Sequence, residues 1–259
     1  MIFIVPLLAI SIWAALAKLI EWKKKSWESY LAERMVEREK LASTLLSSIS
    51  HDLRTPLTSI EGAASTLLTQ EEKLSIADRH RLLDMISEEA HRLNRLVSNI
   101  LQITKIEAGH MNAHRELHSL EEIIGSALNR LEPLIRDRLI KTEISDLPLV
   151  PFDDLLIEQV LINILENALR YTPIRSPIVI RATRQDNHVC IEIMDRGLGV
   201  PVQDRTRIFE KFYRSGKQDT EGTGLGLAIC AGIIKAHQGQ IGVKEREGGG
   251  SIFYFSLPL

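Results

Sequence analysis

The feature that most constrains the fold of this chain is an apolar repeat between about residues 77 and 107, where aliphatic side chains recur at alternating four- and three-residue spacing. Its members are Ile86, Ala90, Leu93, Val97 and Ile100. This spacing is typical of a long helix that packs against another helix. A second stripe precedes it at i, i+4 spacing, formed by Leu45, Ile49, Leu53 and Leu57. Two helices joined at about residues 69–75 would make an antiparallel hairpin, and two hairpins would cover each other in a homodimeric four-helix bundle.

One histidine stands out within the first of these helices. His51 lies off the apolar stripe, so it would face solvent or another domain. Asp52 can accept a hydrogen bond from one ring nitrogen, which fixes the tautomer and leaves the other nitrogen free to attack an electrophile. Pro56 removes a backbone donor and should bend the helix one turn later. An exposed histidine beside a salt-bridging aspartate would give the same pattern, so this pair alone does not establish chemistry.

The first residues have the composition of a membrane segment. Residues 2–17 carry no charge, and the apolar run approaches the roughly 20 residues that span a bilayer. Lysines follow at Lys18 and at 23–25, so the positive-inside rule places the rest of the chain in the cytoplasm. A cleaved signal peptide is the alternative, but a basic n-region and a small-residue cleavage site are both missing. We expect residues 1–25 to be a transmembrane anchor and residues 26–45 to be a helical signalling linker.

The charge balance and the cysteines exclude other classes. Lys plus Arg total 32 against 34 Asp plus Glu, and the net charge of −2 gives no electrostatic basis for direct nucleic-acid binding. The two cysteines, Cys190 and Cys230, lie in apolar runs without a CxxC pair, which argues against a zinc site or a disulfide scaffold. Both are typical of packed thiols in a reducing compartment.

The second half of the chain, residues 114–259, mixes helix and strand patterns. Ser119 opens a capping box for a helix to about Ile135, and Asp153 or Asp154 caps another. Further predicted elements are strands at about 178–183 and 189–194, a short amphipathic helix at 205–213, a helix at 224–237 and a hairpin of 240–244 with 252–257. Strands and helices segregated in this way predict an α+β fold of the two-layer sandwich type.

Three groups of residues in this half suit a nucleotide. The glycine-rich run 222–226 opens a helix and could hold phosphate on backbone N–H groups, although it matches neither the Rossmann nor the P-loop pattern. Asp195 ends a strand before two glycines, where its carboxylate could bind an exocyclic amine. Asn163 and Asn167 form an i, i+4 pair that could present amide oxygens to a hard cation. Taken singly, a glycine-rich turn or a polar helix stripe explains the first and the last group equally well.

Together and in order, these motifs resemble those of bacterial sensor histidine kinases of two-component systems. The matching segments are 50–56 (H-box), 163–168 (N-box), 195–199 (G1 box), 209–212 (F-box) and 222–226 (G2 box). The resemblance covers about residues 30–259, and the run EQVLINILENALRYTP is similar to the transmitter of the potassium-sensing KdpD kinases. It implies a dimerisation and histidine-phosphotransfer domain at 46–110, followed by a Bergerat-type ATP-binding domain at 114–259. The chain would be a protein of the bacterial inner membrane.

The resemblance also assigns roles to individual residues. It implies that Asn167 coordinates Mg²⁺ with Asn163 nearby, that Arg170 contacts phosphate, and that Tyr171 lies against the adenine. Asp195 would bind the adenine amino group. The other implied nucleotide-binding positions are Gly197, Gly199, Arg214, Gly222, Thr223, Gly224, Leu225 and Gly226, with residues 214–222 as a lid over the γ-phosphate. Arg196 stands where the family often has Asn, a departure that could alter a water-mediated contact.

The implied reaction is that of a protein-histidine kinase. His51 would attack the γ-phosphate of Mg·ATP, and the phosphoryl group would pass to an aspartate of a response regulator. Thr55 would orient water to dephosphorylate that regulator. ATPases of the same Bergerat fold lack an H-box hairpin, and a non-catalytic dimeric scaffold would not need intact Asn167, Asp195 and G2 glycines. These two classes remain the alternatives.

Overall fold

A computed structural model of the protein describes residues 21, 23, 24, 27, 50, 52–70, 73–215 and 224–259. The chain divides into two compact units, Met1–Thr55 and Pro56–Leu259. The predicted membrane segment at 2–17 and His51 lie outside the described residues, as does nearly all of the predicted linker. Within the described ranges, no helix is long and apolar enough to cross a bilayer.

Two long helices match the predicted hairpin. Residues 52–69 are helical and form α1, and α2 is Ile76–Glu107. The Oγ of Ser75 caps α2 by accepting a hydrogen bond from the N–H of Asp78 at 3.1 Å. Gly109, at φ +67°, follows the end of α2 in the left-handed conformation that favours glycine after a helix. Capping residues thus set both ends of α2.

Part of the predicted apolar stripe is uncovered within one chain. Leu96 and Ile103 of α2 are buried, whereas Leu57 of α1 is 49% exposed and Val97 of α2 is 46% exposed. Leu57 is therefore uncovered within one chain, on the stripe where the sequence predicts that a second hairpin packs. Burial of such a stripe requires a second apolar surface, and the predicted four-helix bundle with a second chain would supply one.

Among the described residues, seven strands follow the hairpin, and five of them form a mixed sheet. In chain order they are β1 (Glu116–His118), β2 (Ile140–Ile144), β3 (Val150–Phe152), β4 (Ile178–Gln185), β5 (His188–Met194), β6 (Ile241–Glu245) and β7 (Ser251–Pro258). The large sheet has the order β2-β4-β5-β7-β6, while β1 and β3 pair separately. Strand β2 runs parallel to β4, and the other neighbours are antiparallel. The predicted strands and the closing hairpin are confirmed.

Helices cover the sheet and enclose the core. They are α3 (Leu120–Arg130), α4 (Glu132–Ile135), α5 (Asp154–Tyr171) and α6 (Gly226–Ala236). Along β7 every second side chain is buried, namely Ser251, Phe253, Phe255 and Leu257. This alternation directs one face of the sheet to the core. Helix α5 is apolar enough to be buried along most of its length, so its polar residues have a rigid support.

Two predicted helices differ from the observed ones. The helix expected from Ser119 to Ile135 breaks at Leu131, because Pro133 has no backbone N–H with which to continue it. The helix expected at 205–213 is replaced by two 3-10 helices, Val202–Asp204 and Arg207–Phe209. Hydrogen bonds from later residues to Asp204 hold this segment in a compact loop. Strands β1, β2 and β3 were not predicted, because β1 and β3 are only three residues long and β2 is mostly polar and exposed.

Candidate nucleotide-binding site

Asp195 is held rigidly where β5 ends. Its side chain is 4% exposed, and its Oδ1 accepts hydrogen bonds from the N–H groups of Gly197 (2.7 Å) and Ser251 (3.1 Å). Within the part of the chain that the structure describes, Oδ2 has no hydrogen-bond partner. Because Oδ1 is held by two backbone donors while Oδ2 accepts from no described residue, Oδ2 is available to accept a hydrogen bond from a ligand. An exocyclic amine of a base fits that requirement.

The loop after Asp195 packs tightly against the end of α5. A Cβ atom at Gly197 would lie 2.5 Å from the carbonyl oxygen of Tyr171, so this position excludes every residue with a side chain. Gly199 has φ +76°, which also favours glycine. The two glycines predicted on chemical grounds are thus required by backbone geometry, and they bring the G1 loop next to the N-box helix.

The two asparagines of α5 have different environments. The Nδ2 of Asn163 donates to the carbonyl oxygen of Gly226 at 3.4 Å and lies 3.7 Å from the Sγ of Cys230, so this amide links α5 to the start of α6. Asn167 is half-buried and makes no side-chain hydrogen bond to any described residue. Asn167 therefore has an amide oxygen available for a cation, whereas Asn163 contacts the helix that follows the G2 glycines.

Arg138 fixes the C-terminal end of α5. Its two terminal nitrogens donate to the carbonyl oxygens of Leu169 (2.5 Å) and Thr172 (2.6 Å), and a guanidinium group is favourable at the negative end of a helix. Arg170 and Tyr171, both exposed, lie between these two anchored residues. Sequence reasoning missed Arg138, because two strands, β2 and β3, separate it from α5 along the chain.

The F-box and the G2 box meet through their backbones. Phe212 donates its N–H to the carbonyl oxygen of Gly224 at 2.9 Å, and a Cβ at Gly224 would lie 2.8 Å from the Cα of Phe212. Gly224 also has φ +65°. Leu225 is completely buried, and Gly226 begins α6. Gly222 and Thr223 lie outside the described residues.

Asp204 organises the residues on both sides of Arg214. The hydroxyl of Tyr213 donates to Asp204 at 2.6 Å, and the hydroxyl of Ser215 donates to the other carboxylate oxygen. These bonds, that of Ser215 first, lower the pKa of Asp204, and the bond to Asp204 raises the pKa of Tyr213. Arg214 between them is exposed. No sequence signal marks this cluster, because the three partners lie in irregular loops without a repeating spacing.

The structure therefore brings four of the five predicted motifs together. In the second unit, Asn163 contacts Gly226, the G1 loop packs on Tyr171 at the end of α5, and Phe212 is hydrogen-bonded to Gly224. Asp52 and Thr55 are helical residues of the first unit. Arg196, which stands where the family often has Asn, donates from Nη1 to the carbonyl oxygens of Glu247 and Gly249.

Two family descriptions match the chain. Residues 41–109 match the His Kinase A (phospho-acceptor) domain, and residues 152–259 match the histidine kinase-, DNA gyrase B- and HSP90-like ATPase domain. The second description covers several classes of ATPase and implies ATP binding. The first is specific to histidine kinases, and it stands in the predicted order along the chain.

The similar curated proteins are sensor kinases. The chain is 38% identical over 227 residues to the sensor protein KdpD of Clostridium acetobutylicum, an alignment that covers 86% of this chain and 25% of that protein. The corresponding protein of Escherichia coli strain K12 is also 38% identical, with the same coverage. The chain thus spans about a quarter of the length of these relatives.

The similar solved structures are histidine kinases. The catalytic domain of histidine kinase ThkA is 32% identical with a TM-score of 0.51, and the alignment covers 56% of this chain and 95% of that domain. A crystal structure of ThkA in complex with the response regulator protein TrrA has a TM-score of 0.64 at 26% identity, covering 86% of this chain and 63% of that one. The fold therefore agrees with both predicted domains.

Proposed function

Because the chain belongs to the sensor histidine kinases, we propose that it transfers the γ-phosphoryl group of ATP to His51 and then to an aspartate of a response regulator. The observation that carries this proposal is the order of a phospho-acceptor domain and an ATPase domain in one chain. The buried carboxylate of Asp195, with one oxygen held by backbone N–H groups and the other without a partner among the described residues, supports the nucleotide assignment.

We propose the following roles for the residues of the site. The Oδ2 of Asp195 accepts a hydrogen bond from the adenine amino group, and the side-chain oxygen of Asn167 is a ligand for Mg²⁺. When bound, Mg²⁺ would offset charge on the phosphate oxygens. The exposed guanidinium groups of Arg170 and Arg214 are suited to phosphate. Asn163 positions the start of α6 through Gly226 and does not need to reach the cation.

The transfer itself is a substitution at phosphorus. A ring nitrogen of His51 forms a bond to the γ-phosphorus as the bond to the β–γ bridging oxygen breaks, and ADP leaves with the electron pair. Asp52 accepts a hydrogen bond from the other nitrogen and stabilises the positive charge that develops on the ring. Most of the rate enhancement is expected from positioning, because the chain supplies no further covalent chemistry.

The proposal includes a dimer, a partner and a membrane. Exposed apolar side chains on α1 and α2 support a second copy as partner in the bundle; they are Leu57, Leu68, Leu83, Met85, Val97 and Leu101. The ThkA–TrrA complex supports a receiver domain as phosphoryl acceptor. The charge-free run at 2–17, followed by lysines, supports attachment to the bacterial inner membrane.

The experiment is incubation of the full chain with γ-labelled ATP, followed by a test for label on protein that is stable in alkali and labile in acid. We expect His51→Ala to abolish this label. The matched control is His80→Ala, which removes an exposed histidine of α2 and should keep the label. Release of free phosphate by an unlabelled chain would instead indicate a Bergerat-fold ATPase, and retention of label by His51→Ala would remove His51 from its role.

A further inference from the structure

We propose that the turn between β6 and β7 positions Asp195 and thereby sets the selectivity of the site for adenine nucleotides. The turn comprises residues 246–250, and we refer to it as the hairpin turn. The residues that act in it are Arg246 and Gly250, together with Arg196 from the G1 loop. This inference rests on the proposed role of Asp195 in binding the adenine amino group.

The first observation is a direct link between Asp195 and the start of β7. The N–H of Asp195 donates to the carbonyl oxygen of Ser251 at 2.9 Å, and the N–H of Ser251 donates back to the Oδ1 of Asp195 at 3.1 Å. Both the backbone and the side chain of Asp195 are therefore held by the residue that immediately follows the hairpin turn. A shift of this turn would move the carboxylate.

The second observation is a reciprocal pair of arginine contacts. The Nη1 of Arg246, in the turn, donates to the carbonyl oxygen of Asp195 at 3.0 Å. The Nη1 of Arg196 donates in the opposite direction, to the carbonyl oxygens of Glu247 (2.7 Å) and Gly249 (3.1 Å). The hairpin turn thus places a guanidinium group on the backbone of the G1 loop, and the G1 loop places one on the backbone of the hairpin turn. A guanidinium group is always charged and offers several donors in a fixed plane, so the two contacts restrict the relative movement of the segments.

The third observation is the absence of space at one glycine. Gly250 is buried at φ +99°, and a Cβ there would lie 2.2 Å from the carbonyl oxygen of Asp195 and 2.8 Å from the Cα of Arg196. The neighbouring Gly249 has a nearly identical φ of +95°, yet a Cβ there would meet nothing within 4 Å. The hairpin turn therefore touches the Asp195 backbone at Gly250 and not at Gly249.

The position of Asp195 matters because a single oxygen, its Oδ2, is proposed to recognise the base. Adenine presents an amino group where guanine presents a carbonyl, so a carboxylate oxygen at that point attracts the first base and repels the second. A site that hydrogen-bonds one partner discriminates strongly only when the buried acceptor is correctly placed. Displacement of Asp195 should weaken ATP binding and improve GTP binding relative to ATP. Binding of the phosphates should change little.

The test compares Gly250→Ala with Gly249→Ala in the full chain. The measurement is the dissociation constant for ATP, GTP and inorganic tripolyphosphate by calorimetric titration. We expect Gly250→Ala to lose about tenfold or more in ATP affinity and in the ratio of ATP to GTP affinity, as for loss of one charge-assisted hydrogen bond. Affinity for tripolyphosphate should change less than about twofold. Gly249→Ala has the same backbone strain and keeps its carbonyl oxygen, so its ATP to GTP ratio should be that of the unmodified chain.

A second pair of variants decides the question if Gly250→Ala fails to fold. Arg196→Met removes both hydrogen bonds to the hairpin turn and should lower the ATP to GTP ratio. Arg196→Lys should restore most of that ratio, because one ammonium group can donate to both carbonyl oxygens. A purely structural role for Arg196 would lower stability without changing the ratio.

The outcomes separate this inference from the proposed function. Asp195→Asn should weaken ATP binding; unchanged affinity would remove the adenine role of Asp195 and with it the basis of the inference. If Asp195→Asn loses affinity while Gly250→Ala and Arg196→Met keep the ATP to GTP ratio, the adenine role stands and the positioning role of the hairpin turn is overturned.

Discussion

Acid should destabilise the second unit through His237, a completely buried residue that ends α6. Its Nε2 accepts a hydrogen bond from the N–H of Asp153 at 3.0 Å, and its Nδ1 lies 2.8 Å from the carbonyl oxygen of Ile233. These partners define a neutral ring with its proton on Nδ1. Because Asp153 is the N-cap of α5, a second proton on Nε2 would oppose the backbone donor at the start of that helix.

The sign of the effect follows from the pKa. Burial lowers the pKa of His237 from its ordinary value, and the charge of Arg115 adds to this lowering. As the pH falls below about 6.5, the unfolded chain takes up a proton before the folded chain does, so the free energy of unfolding decreases. The decrease is at most about 1.4 kcal/mol per pH unit, and it ends below the folded-state pKa. Above about pH 6.5, His237 is neutral in both the folded and the unfolded chain, so its contribution to the free energy of unfolding no longer changes with pH.

The assay is urea unfolding at a series of pH values, monitored by circular dichroism. It compares the unmodified full-length chain with His237→Gln. A glutamine can donate and accept hydrogen bonds but does not titrate, so the difference between the two curves isolates His237. The matched control is His80→Gln, which makes the same substitution at an exposed histidine of α2. Parallel loss of stability in the unmodified and His237→Gln chains between about pH 7 and pH 5 would refute the argument.

Three further predictions follow from the assignments above. Thr55→Ala should keep the label on His51 but slow the loss of phosphate from the cognate regulator; equal rates of dephosphorylation would contradict that role. Gly232→Ala should lower the free energy of unfolding by about 1 kcal/mol, because its Cβ would lie 2.4 Å from the Cδ1 of Ile106. Ile106→Ala in the same chain should offset this loss in urea unfolding. Deletion of residues 1–25 should abolish membrane attachment in a flotation assay and keep the label on His51. A monomer in light scattering, or a dimer that takes up no label, would show that the segment is needed to assemble the bundle.

Local signals in the sequence predicted the helix ends well. Ser119 and Asp153 cap α3 and α5 as expected, because an N-cap needs only its own side chain and an N–H two or three residues later. Gly109 has the left-handed backbone that favours glycine after a helix. The order of the nucleotide motifs likewise lies in the sequence, since each motif is a short run with its own composition.

Predictions failed where the outcome depends on distant residues. The periodicity at 205–213 suits an amphipathic helix, yet hydrogen bonds of Tyr213 and Ser215 to Asp204 replace it with a compact loop. Strand β2 is mostly polar, and it becomes a strand because β4 offers a parallel edge to pair with.

The sequence by itself determined the two domains, their order and the residue types that a nucleotide needs, because caps, glycines and short motifs act over a few residues. Only the tertiary structure decided how Asp195 is used. Its Oδ1 is held by Ser251, 56 residues later, and its carbonyl oxygen by Arg246, 51 residues later. Arg196 donates to the backbone of the same hairpin turn. Such contacts depend on the pairing of β5 with β7, and the free energy of that pairing belongs to the whole sheet and to no single motif.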